Sequence, residues 1–310
     1  MVLYWMAGLV LLLQQAILPD SLYVDHDGQN LAIIERSQYT LPFPGITVID
    51  DVKMNKLIQN LDKRLYQAPL NASLDGQGRM VAEQDGYKLD QHAFTEQVYS
   101  YLFGSDVSKV EVPRLKLFPK VDSELLASIR EKQIGQYATF FNSNNKNRTN
   151  NIALATKAID NYVVFPGELF SFNQVVGMRT EEKGYMRAAV IVRGELSEGI
   201  GGGICQVSST LFNAADRAGL HIVQRYSHSR NVPYVPSGRD ATVSWYGADF
   251  SFENNYNQPL LIRAQTYGGT VNVKIYSSDT LEYKLRNVPN ASNDLPEEIM
   301  DRNVNHYIDP

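Results

Sequence analysis

Three residue types that cooperate in nucleophilic catalysis follow one another in a single stretch of the chain: Cys205, His228 and Asp240. Cys205 is the only cysteine, and it follows the run Gly199-Ile-Gly-Gly-Gly-Ile. The residues after it read as a helix to about Ala218, stopped by Gly219. A thiol in a first helical turn meets unpaired N–H groups and the positive end of the helix dipole, and both favour thiolate. The histidine would take the thiol proton. The acid would fix the imidazole tautomer and stabilise its cation. Gly201, Gly202 and Gly203 would let backbone N–H groups approach a substrate carbonyl, and Gln206 or the Cys205 N–H would line an oxyanion hole. Arg239 and Tyr234 are candidate binding residues beside them.

Each of these residues also has a structural reading. A lone cysteine packs well where a helix lies close to a sheet. A loop histidine often bonds backbone, and an Asp after Gly238-Arg239 can pair with Arg230 or Arg239. Tight strand-to-helix turns need glycine for positive φ. The sequence leaves the two sets of readings open. A zinc site built from Cys205, His221, His228 and Asp240 is disfavoured, because no pair has short ligand spacing. The glycine run is not a phosphate loop, since no Lys-Ser/Thr follows it. No metal and no cofactor is expected.

The elements that must position these groups are legible in outline. Asp51 to Leu65 has helical spacing, with Met54, Leu57, Ile58 and Leu61 on one face. Asn71 to Val81 reads as a hairpin turning at Asp75-Gly76. Asp90 caps a helix over Gln91 to Leu102, and Val110 to Leu117 alternates as a strand. A helix is expected over Asp122 to Gln136, then a short strand from Tyr137. A solvated loop is expected over Asn142 to Asn151, then a helix to about Tyr162. Strands are expected at Ala188–Val192, Ile222–Tyr226, Ala241–Tyr246, Phe250–Glu253, Pro259–Gln265 and Thr270–Tyr276, the last two joined at Gly268-Gly269. The polar tail from Asn287 is expected to be disordered.

The chain's 310 residues suffice for two domains with separate cores. The net charge of -5 gives no reason to expect nucleic acid as a partner. One cysteine excludes an intramolecular disulfide. Val2 to Leu18 is almost wholly apolar, and the first charge is Asp20. This predicts a membrane anchor or a signal segment, and an extracytoplasmic protein. The missing basic residue before it and the poor cleavage site favour the uncleaved anchor.

Residues 166–246 carry an ordered signature. It runs from Pro166-Gly-Glu-Leu-Phe-Ser-Phe-Asn173 and Gly184-Tyr185 through Gly201-Gly-Gly-Ile-Cys-Gln-Val-Ser-Ser-Thr-Leu-Phe-Asn-Ala214 to Gly219-Leu220 and His228-Ser229. Tyr234-Val-Pro, Gly238-Arg-Asp-Ala-Thr-Val243 and Phe252-Glu-Asn-Asn255 complete it. This signature resembles the VanW family over roughly residues 137–278. The stretch before it, around Gly86-Tyr-Lys-Leu-Asp90, is similar to a peptidoglycan-binding module that often precedes VanW domains. The resemblance implies an α+β protein: a small α+β N-terminal module followed by a mixed α+β VanW domain with a mainly antiparallel sheet. It implies an exported bacterial envelope protein, of a family named from vancomycin-resistance clusters, without implying that this chain confers resistance. The expected organisation is an anchor or signal at 1–19, a linker at 20–65, the module at 66–120, the VanW domain at 121–278 and a tail at 279–310. The expected function is binding of peptidoglycan or a wall partner. The alternative is a cysteine-dependent amidase or transpeptidase acting on wall peptides. The order Cys, His, Asp is that of transglutaminase-like and papain-like enzymes.

Overall fold

The computed structural model describes residues 19–192 and 195–293. The apolar segment expected to be an anchor or signal therefore lies outside the described residues, as does the tail from 294. Among the described residues no helix is long and apolar enough to cross a membrane. The fold is mixed α+β with mostly antiparallel sheets. It divides into two compact units, one formed by residues up to Leu70 with Gln84–Lys120, the other by Asn71–Glu83 with all residues from Val121.

In the first unit the strands Ser21–His26 and Gln29–Glu35 pair antiparallel, and Lys109–Glu111 adds in parallel. The Asp51–Leu65 helix starts at Asp50, whose carboxylate accepts from the Lys53 N–H, and it buries Met54, Ile58 and Leu61. The Gln91–Leu102 helix starts at Asp90 in the same way and buries Phe94, Val98 and Leu102. Both helices share one core with Leu22, Val24 and Ile34. Residues 20–65 are therefore part of a packed domain rather than a linker, because their apolar positions have no other surface to bury against. The alternating stretch at 110–117 is two strands, Lys109–Glu111 and Arg114–Leu117, broken where Pro113 withholds an N–H.

The hairpin pairing Ser73–Leu74 with Met80–Val81 belongs to the second unit. Ala72 and Leu74 are buried with Val121, Leu126, Ile129 and Leu261. Asn161 holds Leu74 from both sides, accepting from its N–H at 2.7 Å and donating to its carbonyl at 3.0 Å. This moves residues 71–83 out of the module expected over 66–120.

The second unit is built on an antiparallel sheet ordered Lys132–Phe140, Thr270–Ser277, Leu260–Tyr267, Tyr162–Val164. Three corrections to the expected elements have plain causes. The Asp122-capped helix ends at Ile129, and residues 132–140 form a strand instead of its last turns. Tyr137 and Thr139 alternate inward there, and a Cβ at Gly135 would lie 2.5 Å from the Ala214 carbonyl oxygen. The polar run at 142–151 is not all loop. Asn145 accepts from the Arg148 N–H and starts a helix, Lys146–Ile159. The tail is ordered as far as described: Val288 is buried, Arg217 donates to its carbonyl at 2.6 Å, and Tyr137 Oη donates to that of Pro289.

The Ile204–Arg217 helix lies against the main sheet and is buried along nearly its whole length. Its buried polar residues, Gln206, Ser208, Ser209, Thr210 and Asn213, all sit at 0% exposure. Such groups must be hydrogen-bonded, and three of them bond the backbone of the segment around Asp240. Ser208 donates to the Ala241 carbonyl at 2.6 Å, Ser209 accepts from the Ala241 N–H at 2.8 Å, and Asn213 donates to the Arg239 carbonyl at 2.8 Å. The strand expected over Ala241–Tyr246 is therefore absent. Helix side chains satisfy the backbone groups that a neighbouring strand would otherwise have taken.

Candidate active site

Cys205 is the second residue of this fourteen-residue helix. Its N–H is among those with no intrahelical acceptor. The turn before it has two glycines at positive φ, Gly201 at 86° and Gly203 at 104°. A Cβ at Gly202 would fall 2.5 Å from the Ala189 carbonyl oxygen, on the hairpin that pairs Arg187–Val192 with Glu195–Ile200. The three glycines thus let the chain turn sharply under a hairpin and enter the helix.

The thiol is half-buried. Its sulfur accepts from the Val243 N–H at 3.5 Å, donates to the Val243 carbonyl at 3.6 Å, and lies 3.7 Å from Thr242 Oγ1. The His228 side chain interacts with it electrostatically. His228 Nδ1 lies 2.6 Å from Asp240 Oδ2, and the same oxygen accepts from the His228 N–H at 2.6 Å. With Nδ1 engaged, Nε2 is the ring nitrogen left for the thiol. Both side chains of the His–Asp pair are almost wholly buried, at 6% and 8% exposure. Pairing of the Thr242 N–H with the Tyr226 carbonyl holds the two loops together.

The electrostatics follow from this geometry. Burial pushes the Cys205 thiol up, but the His228 hydrogen bond and charge, then the Val243 N–H, pull it below its ordinary value. Burial pushes His228 down, but Cys205 and then Asp240 raise it above its ordinary value. Both shifts favour a thiolate–imidazolium pair at neutral pH. Burial and then the Cys205 charge hold the Tyr234 phenol well above its ordinary value, so it remains protonated.

The structure brings Cys205, His228, Asp240 and Tyr234 together with the glycine turn, and it separates two other predicted binding residues from them. Gln206 is fully engaged in the core: its amide donates to Thr139 Oγ1 and the Phe140 carbonyl and accepts from Arg148 at 2.7 Å. It has no group left for an oxyanion. Arg239 donates to Asn213 and Asp216 and stacks over Phe212. Asp240 pairs with His228 and not with an arginine. His221 is exposed at the start of the His221–Gln224 strand, outside the cluster. A surface cavity of about 400 Å³ lies elsewhere, lined by Gln133, Tyr137, Arg217, Tyr283 and Asn290. Arg217 is at the far end of the helix, roughly 18 Å from Cys205 at helical rise.

Sequence reasoning did not find Arg179, whose stem packs on Gly201 and whose guanidinium lies over the Phe172 ring. No local pattern marks it. Among the described residues, His26, Asp27 and Glu111 have ligand atoms within 4.8 Å of one another, at the end of a first-unit strand. Asp27 and Glu111 are exposed and already bonded, Glu111 accepting the Asp27 N–H.

Residues 147–276 match the family described as VanW like protein. The chain is also 58% identical over 292 residues to the uncharacterized protein YoaR of Bacillus subtilis, covering 94% of this chain and 96% of that one. The chain belongs to the VanW family. The vancomycin B-type resistance protein VanW of Enterococcus faecalis is 32% identical over 115 residues, covering 36% of this chain and 42% of the other. No solved structure gives a significant match. The VanW region thus contains the whole Cys205–His228–Asp240 cluster.

Proposed function

We propose that this VanW-family chain is a cysteine-dependent acyl-transfer enzyme acting on amide bonds of cell-wall peptides. The observation that carries the reading is the buried His228 ring, hydrogen-bonded to the Asp240 carboxylate at 2.6 Å and acting electrostatically on the Cys205 thiol. A merely packed cysteine needs neither a buried imidazole nor a carboxylate behind it.

The chemistry follows from these positions. The Cys205 thiolate attacks the amide carbonyl carbon, and the carbonyl oxygen takes up the electron pair. The Cys205 N–H, with no intrahelical acceptor, is a donor available to that oxygen. As the tetrahedral centre collapses, the C–N bond breaks and His228 Nε2 gives its proton to the leaving amine. A thioester remains. Water resolves it in an amidase, and a second amine does so in a transpeptidase, with neutral His228 taking the proton of the incoming nucleophile. Asp240 holds the imidazole tautomer throughout.

The apolar run from Val2 to Leu18 supports delivery outside the membrane, as an anchor or a signal. The vancomycin-resistance name of the Enterococcus relative supports an envelope setting. In this reading the first unit holds peptidoglycan while the second does chemistry.

The test has two arms. Iodoacetamide should alkylate Cys205 in the folded protein with a midpoint well below the ~8.5 of an ordinary thiol. Peptidoglycan digests from cells carrying the wild type or Cys205→Ser should then differ in their peptide products. A slow, ordinary thiol together with identical digests, while pull-down by peptidoglycan persists, overturns catalysis and leaves a wall-binding protein.

A further inference from the structure

Near Cys205 lies a guanidinium whose terminal nitrogens have no hydrogen-bond partner among the described residues. The two terminal nitrogens of Arg179 are buried and have no hydrogen-bond partner. Arginine keeps its charge in proteins, so burial leaves a cation with an open two-pronged donor set. Leaving such a group unpaired is costly.

Cys205, Tyr185 and Asp249 lie within electrostatic reach of the guanidinium, but none is hydrogen-bonded to its terminal nitrogens. Asp249 accepts from Ser171 Oγ at 2.6 Å, the Asn173 N–H at 2.9 Å and the Phe250 N–H at 2.8 Å. Tyr185 is a buried phenol, pushed above its ordinary value by burial and therefore neutral. The Cys205 sulfur has its own contacts with His228, Thr242 and Val243 and makes no hydrogen bond to the guanidinium. Arg179 is nevertheless within electrostatic reach of that sulfur, and its Cβ and Cγ lie 3.3 Å from where a Gly201 side chain would start. Nearby, Asn173 donates to the Ser244 and Ala248 carbonyls while its own Oδ1 is buried and unpartnered. A forked donor and an open acceptor are thus both left without hydrogen-bond partners in this unit.

Resting on the acyl-transfer reading, we infer that Arg179 is a carboxylate-binding residue of the substrate site, so the preferred peptide presents a free carboxylate close to the bond that Cys205 attacks. Planar guanidinium and carboxylate match in two parallel hydrogen bonds. Asn173 Oδ1 is placed to take an N–H of the same residue. Neutral peptides of equal length would leave the guanidinium unpaired and bind less well.

Paired alkylating reagents test this without a substrate. Iodoacetate and iodoacetamide react with the same thiolate, releasing iodide, but only iodoacetate has a carboxylate. The ratio of their rates at Cys205, divided by the ratio for the urea-unfolded chain, should exceed about 5 in the wild type. Arg179→Met should bring it back to about 1, because the loss falls mainly on iodoacetate, and Arg179→Lys should fall between. A wild-type ratio of 1 overturns the inference. So does an Arg179→Met variant that slows both reagents equally, which would assign Arg179 to the thiolate itself. If neither reagent labels Cys205 rapidly, the acyl-transfer reading fails first and this inference with it. Should Arg179→Met not fold, N-acetylglycine and its amide decide the matter in the wild type. Only the acid should slow iodoacetamide labelling, and equal effects overturn the inference.

Discussion

The two ends of the Ile204–Arg217 helix each hold a carboxylate in a polar network, and the networks differ in what they leave open. At the C-terminal end Asp216 accepts from Arg239 at 2.7 Å and from Arg286 at 2.8 Å. Next to it Arg217 donates to the carbonyls of Gln136 and Val288. Arginines match acceptors there, and the cluster ties together strand, helix and tail. At the N-terminal end Asp240 is matched to a histidine that acts electrostatically on a thiol, and the terminal nitrogens of Arg179 have no hydrogen-bond partner. A closed network of permanent charges contributes rigidity. An open one that pairs a lowered thiol with a raised imidazole is suited to moving protons.

The sharpest way to break this contrast is His228→Ala. Removing the imidazole leaves burial as the leading influence on Cys205, so its alkylation midpoint should rise above the ordinary ~8.5. Turnover of any wall-peptide substrate should drop by about 10³-fold or more. An unchanged pH profile would assign the histidine to structure alone. A smaller loss is expected for Asp240→Asn. It keeps the shape but withdraws the charge that helps raise His228, so the imidazolium loses its proton at lower pH. The thiolate then loses its counter-charge over the pH range in which activity is measured. By analogy with serine triads, turnover should fall about two decades less than for loss of the histidine. The pH–rate profile should narrow from the alkaline side.

Asp216→Asn should do the opposite and leave iodoacetamide reactivity untouched. Burial pushes Asp216 up, but its bonds to Arg286 and Arg239 hold it below its ordinary value. Its stabilising contribution is therefore present above the unfolded pKa near ~4 and is lost as pH falls through the lower folded value. Urea titration should show a loss of about 1–3 kcal/mol at pH 7 that shrinks in acid. A change in thiol reactivity would show that the two ends are coupled.

Much of the site was legible because each chemical group has a distinctive local context. The glycine run before Cys205, and the stop at Gly219, both report backbone geometry, and backbone geometry is local. The cap at Asp90 was legible for the same reason, whereas that at Asp50 came only with the structure. The partners were not. Gln206 looks solvent-ready in a first helical turn, but Thr139, Phe140 and Arg148 claim it from elements far away in sequence. Arg239 is drawn off by Asp216 in the same way. The missing strand at 241–246 misleads for a related reason. Thr-Val-Ser-Trp-Tyr has strand composition, but the groups that satisfy its backbone are side chains of the helix. No periodicity within the segment encodes that.

Those helix-to-backbone bonds have a consequence for the chain before it folds. Ser208, Ser209 and Asn213 hold the segment carrying Asp240, and Asp240 holds His228, so the thiol meets its base only after helix and segment have docked. In an unfolded chain Cys205 is an ordinary cysteine, mostly protonated at neutral pH and slow to react. The thiol thus gains His228 and Asp240 as neighbours only on the same event that completes the core. Its alkylation rate can serve as a clock for native docking in refolding experiments.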